Sequence, residues 1–308
     1  MQPNDRYDPA VLRKLQLAQC TILEDFIKIC EDNDLRYFIF AGCSIGVERH
    51  HGFIPWDDDI DIGMLRADYD KFLEIAKRDW TDKYRVLDIN IDPDFPFYNA
   101  EFIRKGTKNL PVIFKDSKVD MGIDVAIYPF DNVADNRFIR FMQCSGAFIW
   151  HKIRILKEFR SPVIFADGVK RKFIEAVCRV IHRILVTVKF PAKFINKRYM
   201  RWATMCNKMK TKGVTCFFAT KPLNDYIELK DLYPPVKKPF EYLTVCVPGN
   251  NHLHLTRKFG DYMQIPPESK RKNHVPYVLE FGPFEDLDIN DEKFRPILPD
   301  TSMIRDGE

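Results

Sequence analysis

The chain has 308 residues, 45% hydrophobic and 13% aromatic, which suffices for a large buried core and excludes an intrinsically disordered protein. Residues 1–8 lack the basic and apolar regions of a secretory signal, and no run of about 18 uncharged apolar residues follows, so a cytoplasmic protein, or one held peripherally on the inner face of a membrane, is expected. The net charge of +4 hides a segregation: residues 151–212 hold seventeen Lys or Arg against Glu158, Asp167 and Glu175, a local balance of +14.

Leu12, Leu15, Ile22, Leu23, Phe26 and Cys30 recur at near-helical spacing and predict an amphipathic helix over residues 9–32 that packs on the core. Residues 36–41 are aromatic and β-branched and end at Gly42, as a buried strand leading into a tight turn would. A second strand is predicted from Trp56 to Gly63, and a helix over residues 68–78, with Asp68 near its start to favour the helix dipole. Two further strands are predicted at residues 97–104 and 121–128. In the latter, Met121, Ile123, Val125 and Ile127 alternate with Gly122, Asp124 and Ala126, so Asp124 faces away from the apolar set. Beyond Asp131 and Asn132 the chain reads as helical and basic to about Lys212, and a Pro-rich stretch over residues 221–239 precedes a compact tail. The eight cysteines form no C-x-x-C pair and read as reduced core residues, with neither zinc nor disulfides implied.

Chemistry concentrates between Gly42 and Ile62. On a strand, Asp57, Asp59 and Asp61 would share one face, with Asp58, Ile60 and Ile62 on the other. Acids so placed repel one another unless a cation lies between them, and hard carboxylate oxygens suit Mg²⁺ or Mn²⁺ completed by water and substrate phosphate. Gly42 and Gly46 would let backbone N–H groups approach phosphate oxygens, and Arg49 could neutralise them. The competing reading of a solvated acidic loop is disfavoured because Trp56, Ile60 and Ile62 bracket the acids with residues of buried type. For Arg49 a structural ion pair, and for the two glycines a plain tight turn, are equally good readings in isolation.

Residues 40–69 resemble the signature of the LicD family, which includes fukutin and fukutin-related protein: a glycine-rich turn, Ile-Gly, Arg-His, then Ile-Pro-Trp-Asp-Asp-Asp-Ile-Asp and Arg-x-Asp-Tyr. A second block, Phe259-Gly260-Asp261-Tyr262-Met263-Gln264-Ile265-Pro266-Pro267, followed by Arg271 and His274, is similar to the family's ending. The resemblance implies an α/β (α+β) fold with a nucleotidyltransferase-like mixed sheet flanked by helices. It also implies transfer of a phospho-alkyl group, phosphocholine or a polyol phosphate, from a CDP-activated donor to a glycan or lipid-linked glycan hydroxyl, with CMP released. On matching positions, Asp59 and Asp61 become metal ligands with Asp57 beside them, and Gly42, Arg49 and Trp56 fall where the family binds the donor. Two departures stand out. Cys43 replaces the usual Thr or Ser, leaving a phosphate contact either absent or supplied by Ser44. Ala126 replaces an Asp common on the third core strand, which leaves Asp124 as the expected third acid, ligand or general base, and Asp131 as the fallback.

The expected domains are a packing helix (1–33), a catalytic core (34–135), a basic helical region (136–230) and a C-terminal segment that completes the cleft (231–308). The basic region suits an anionic membrane surface or the solvated face of a packed helix, and it carries no recognisable nucleic-acid-binding motif. In the tail Gly260-Asp261 and Pro266-Pro267 read most simply as ending a helix and fixing a turn; Arg257, Lys258, Arg271 and His274 could instead reach over the site toward donor phosphates, and His50 and His51 read as structural. Two other functions fit the sequence: nucleotidyl transfer that makes an activated compound and releases pyrophosphate, and a catalytically inactive membrane-associated glycan-binding module.

Overall fold

The computed structural model describes residues 6–92, 94–160, 162, 168–219, 222–271 and 273–297. The chain forms two compact units: residues 1–87, 99–130 and 227–308 make the first, and residues 88–98 and 131–226 the second.

The first unit opens with α1 (Pro9–Asp32), where Asp8 accepts hydrogen bonds from the Ala10 and Val11 N–H groups and Pro9 occupies the first turn. On its apolar side Leu15, Ile22, Leu23 and Phe26 are wholly buried. Five strands follow in spatial order: β1 (Phe38–Ile39), β2 (Asp61–Leu65), β6 (Asp124–Val133), β4 (Ala100–Arg104) and β3 (Tyr84–Leu87). β2 and β6 are parallel, with Asp61 opposite Ala126, whereas β6 and β4 are antiparallel, with Ala126 opposite Glu101. Between β1 and β2 lies α2 (Ala41–His50), and α3 (Arg66–Asp79) follows β2. A short β5 (Lys108–Leu110) pairs with β11 (Val278–Glu280), and the tail adds β8 (Ile227–Glu228), α7 (Leu229–Leu232), the β9–β10 hairpin (Val236–Phe240 and Leu243–Val247) and α8 (Asn251–Phe259). This is the mixed α/β architecture expected.

Three expectations are corrected. Gly42–Gly46 is no tight turn but lies inside α2. The second strand pairs only from Asp61 onward: the carbonyl oxygens of Asp57 and Asp58 accept from side chains of α1 and that of Asp59 from the Cys43 thiol, while Ile60 adds a single backbone bond, from the Ala126 N–H. The strand expected over residues 121–128 starts at Asp124 and runs to Val133; Asp131 and Asn132, read as a break, pair with Thr215 and Val214 of β7 (Gly213–Thr215) in the second unit.

The second unit packs α4 (Arg137–Glu158), α5 (Gly168–Thr187) and α6 (Ala192–Ala203). Tyr98 stacks on Tyr199 with ring centroids 3.5 Å apart, and His151 meets both rings. Fully buried Arg154 donates to the Phe95 carbonyl oxygen at 3.0 Å and pairs with Glu158. Burial, then the charge of Lys152, lowers the His151 pKa to about 3. The unfolded imidazole takes a proton near pH 6.5, so stability is complete above that pH and falls as pH drops from about 6.5 toward 3. We predict that His151→Phe flattens the fall in denaturation midpoint across that window by about one proton's worth of slope. An unchanged slope would assign the acid sensitivity to other groups.

Candidate active site

The acidic loop is built from α1 outward. Gln16 Nε2 donates to the Asp57 carbonyl oxygen at 2.9 Å, and Gln19 Nε2 reaches the carbonyl oxygens of Asp58 at 3.1 Å and Asp124 at 3.4 Å. Both glutamines are buried, so the helix that seemed to be packing alone also clamps the loop. From the other side, the Cys43 thiol donates to the Asp59 carbonyl oxygen and its sulfur accepts from the Asp61 N–H, each at 3.2 Å. A Cβ on Gly42 would lie 3.1 Å from Asp57 Oδ2, so this carboxylate abuts the first turn of α2. That turn has no side-chain cap, and its N–H groups form the positive end of the helix.

The acids converge although they do not share a strand. One oxygen each from Asp59 and Asp61 and the Cys43 sulfur lie within 4.8 Å of one another. Asp58, Asp59, Asp61, Glu101, Asp124 and Tyr128 help line a cavity of about 190 Å³. Asp59, Asp61 and Asp124 face this recess and are half-buried, and Asp57, outside it, is half-buried as well. Register explains the grouping: Asp61, Ala126 and Glu101 lie abreast on three adjacent strands. The small Ala126 leaves room between the flanking carboxylates, and Glu101 supplies from β4 an acid that β6 lacks at position 126.

Burial is the first cause of every shift here. It raises the Asp57 pKa to about 8, helped by repulsion from Asp59 and Asp58, and the Asp59 pKa to about 6, helped by Asp58. Asp61 is pushed well above the usual carboxylate range by burial and by Asp59 and Asp57, against a hydrogen bond from Tyr128 and the charge of Lys258. Burial raises Asp124 to about 6 against a hydrogen bond from Glu101, and burial and Asp124 push Glu101 up strongly, so this pair shares a proton carried by Glu101. Carboxylates whose ionisation is opposed by burial and mutual repulsion are a set whose charge a divalent cation would offset. Asp59 and Asp61 offer hard oxygens close enough for one ion. The soft Cys43 sulfur does not suit Mg²⁺: its thiol is held neutral by burial and by the neighbouring acids, and it is occupied as a latch.

Other expected residues have different tasks. The Ser44 hydroxyl donates to Asn251 Oδ1 at 2.9 Å and is fully buried, so it ties α2 to α8 instead of replacing a phosphate contact at position 43. The Arg49 guanidinium donates to the carbonyl oxygens of Tyr262 at 2.7 Å and Gln264 at 3.2 Å, which anchors the tail, the structural one of its two expected roles. Trp56 is half-buried, with the Arg271 guanidinium 4.7 Å from its ring centroid, at the edge of a second cavity of about 570 Å³ that also takes in Tyr7, Arg13 and Gln16. Lys258 lies 5.5 Å from the Phe40 ring centroid. Asp131, the fallback acid, accepts from Asn207 within the second unit and belongs to its framework.

Asp58, assigned by alternation to the opposite face, holds the tail. It accepts from the His274 backbone N–H at 3.0 Å and contacts His274 Nδ1 at 3.1 Å. That bond is the main cause raising the His274 pKa to about 9, so the imidazole is charged at neutral pH. Asp58, Glu101 and the two glutamines were not singled out from the sequence. The glutamines left one trace there, as polar residues within the apolar face of a helix, whereas Glu101 left none until strand register was known.

Comparison with known proteins bears on this site. Residues 34–143 match the family described as LicD/FKTN/FKRP, nucleotidyltransferase domain. The chain is 27% identical over 271 residues to the lipopolysaccharide cholinephosphotransferase LicD of Haemophilus influenzae, a match that covers 85% of this chain and 95% of that protein. It is 33% identical over 81 residues to an uncharacterized protein of Rickettsia typhi, covering 26% of each chain. The matched domain contains every acid of the cavity.

Proposed function

Because the chain carries a LicD-family nucleotidyltransferase domain at residues 34–143, we propose that it is a transferase that moves a phospho-alkyl group, phosphocholine or a polyol phosphate, from a CDP-activated donor to a glycan hydroxyl and releases CMP. The observation that carries this reading is the acidic cluster, in which oxygens of Asp59 and Asp61 lie within 4.8 Å of each other and Asp57 abuts the start of α2. The similarity to a lipopolysaccharide cholinephosphotransferase supports the same class of reaction.

Asp59 and Asp61 would hold Mg²⁺ or Mn²⁺ with Asp57 beside them, and when bound the ion supplies neutralising charge to the donor phosphates. The first turn of α2 offers backbone N–H groups to a phosphate oxygen, taking the role expected of a glycine turn. Charged His274, fixed by Asp58, adds positive charge at the cavity rim. The acceptor oxygen forms a new bond to the donor phosphorus, the bond from phosphorus to the CMP oxygen breaks, and the hydroxyl proton passes to Asp124. Glu101 positions Asp124 through their shared proton. Catalysis then rests on orientation and preorganised charge.

The test is incubation of the full chain with CDP-choline, CDP-ribitol or CDP-glycerol, Mg²⁺ or Mn²⁺, and sugar acceptors. CMP release and a phosphorylated sugar are expected with one of these donors. Pyrophosphate release from a nucleoside triphosphate would establish nucleotidyl transfer instead, and donor binding with no turnover would establish an inactive binding module.

A further inference from the structure

The second unit leaves the apolar side of one helix bare. In α5, Val169, Phe173, Val177, Val180 and Ile184 succeed one another at intervals of four or three and so form one stripe. They are 85%, 69%, 40%, 59% and 56% exposed, and no residue of α5 is buried. The helix packs through its other side: Ile174, Cys178 and Ile181 are partly covered, and His182 Nδ1 lies 2.9 Å from the Leu156 carbonyl oxygen of α4. Helical spacing sets Lys170 along one border of the stripe and Lys172, Arg179 and Arg183 along the other, all exposed. Glu175 is the one acid of the helix and pairs with Arg171. A groove of about 560 Å³ beside the stripe is lined by Arg160, Arg179, His182 and Arg183. Among the described residues, no helix is long and apolar enough to cross a membrane.

We propose that α5 lies in the plane of an anionic lipid surface, with its apolar stripe at the acyl boundary and Arg160, Arg179 and Arg183 on headgroup phosphates. The arrangement of charge selects this occupant. A second copy of the chain would set like-charged borders against each other, and a nucleic acid would use the basic border but leave the stripe in water. A lipid surface satisfies both at once. This inference does not depend on the transfer reaction.

The full chain should float with vesicles of phosphatidylcholine and phosphatidylglycerol in equal parts, stay behind with phosphatidylcholine alone, and detach as salt is raised. Arg179→Ser/Arg183→Ser should weaken partitioning by about thirtyfold and Phe173→Ser/Ile184→Ser by about tenfold or more, with melting temperatures unchanged because these side chains are exposed. Equal flotation on both vesicle types, no flotation, or flotation untouched by either double variant would overturn the proposal. So would a chain of dimeric mass that the Phe173→Ser/Ile184→Ser variant renders monomeric, or displacement from vesicles by duplex DNA whose affinity ignores that variant.

Discussion

Asp61→Asn, and separately Asp59→Asn, should reduce metal-dependent CMP release by about a thousandfold or more while the melting temperature stays the same or rises. The two halves of this result have one cause. In the folded protein burial and neighbouring acids raise both carboxyl pKa values. A group whose folded pKa lies above its unfolded value stabilises the fold only at low pH, and that stability is lost as pH rises from about 4 through the folded pKa. At neutral pH each acid therefore burdens the empty fold, and an uncharged amide of the same shape relieves it. The same change removes a hard oxygen from the pair set to grip a cation. Thermal melts separate the effects: Mn²⁺ should raise the melting temperature of the unaltered chain by mass action and leave each variant unmoved. Full activity in either variant would remove these acids from the chemistry, and variants that melt early would make them structural.

How far the site could be read in advance follows from which interactions were local. Aspartates two apart announced themselves, and strand periodicity put Asp57, Asp59 and Asp61 together for a reason that proved incomplete. Only Asp61 stands on a strand; the others reach it through an extended loop pinned by Gln16, Gln19 and Cys43, contacts spanning 41, 39 and 16 residues of sequence. Local pattern carries no information about partners that far away. The partners of Arg49 and Ser44 were out of reach for the same cause, since they lie in the tail more than 200 residues on. The amphipathic pattern of α1 and the alternation around Asp124 survive because they describe a face, and a face needs only its own residues to be seen. The helical and basic character of the stretch that holds α5 was equally clear, but which side of that helix stays exposed depended on what α4 covers.

Gly46→Ala tests the crossing on which the acidic loop depends. Gly46 sits inside α2, where alanine would ordinarily favour the helix by about 1 kcal/mol. Here a Cβ would lie 2.4 Å from the Gly52 carbonyl oxygen and 3.3 Å from the Ile54 nitrogen, both backbone atoms that cannot rotate away. The contact arises because α2 is capped at its end by His51, in the left-handed region with φ of 54°, and the chain folds back across the helix before entering the loop. Relief requires residues 52–54 to move, and they lead directly to Asp57. The expected cost is about 3 kcal/mol, a fall of about 5 °C or more in melting temperature, together with loss of CMP release. Gly42→Ala is the matched comparison, since its Cβ would meet only the free end of the Asp57 side chain at 3.1 Å. It should melt within a few degrees of the unaltered chain, about 2 °C per kcal/mol, while weakening metal-dependent activity through Asp57. If Gly46→Ala melted no earlier than Gly42→Ala, the helix and the returning chain would not be in contact as described, and the fixed position of the acids would need another source.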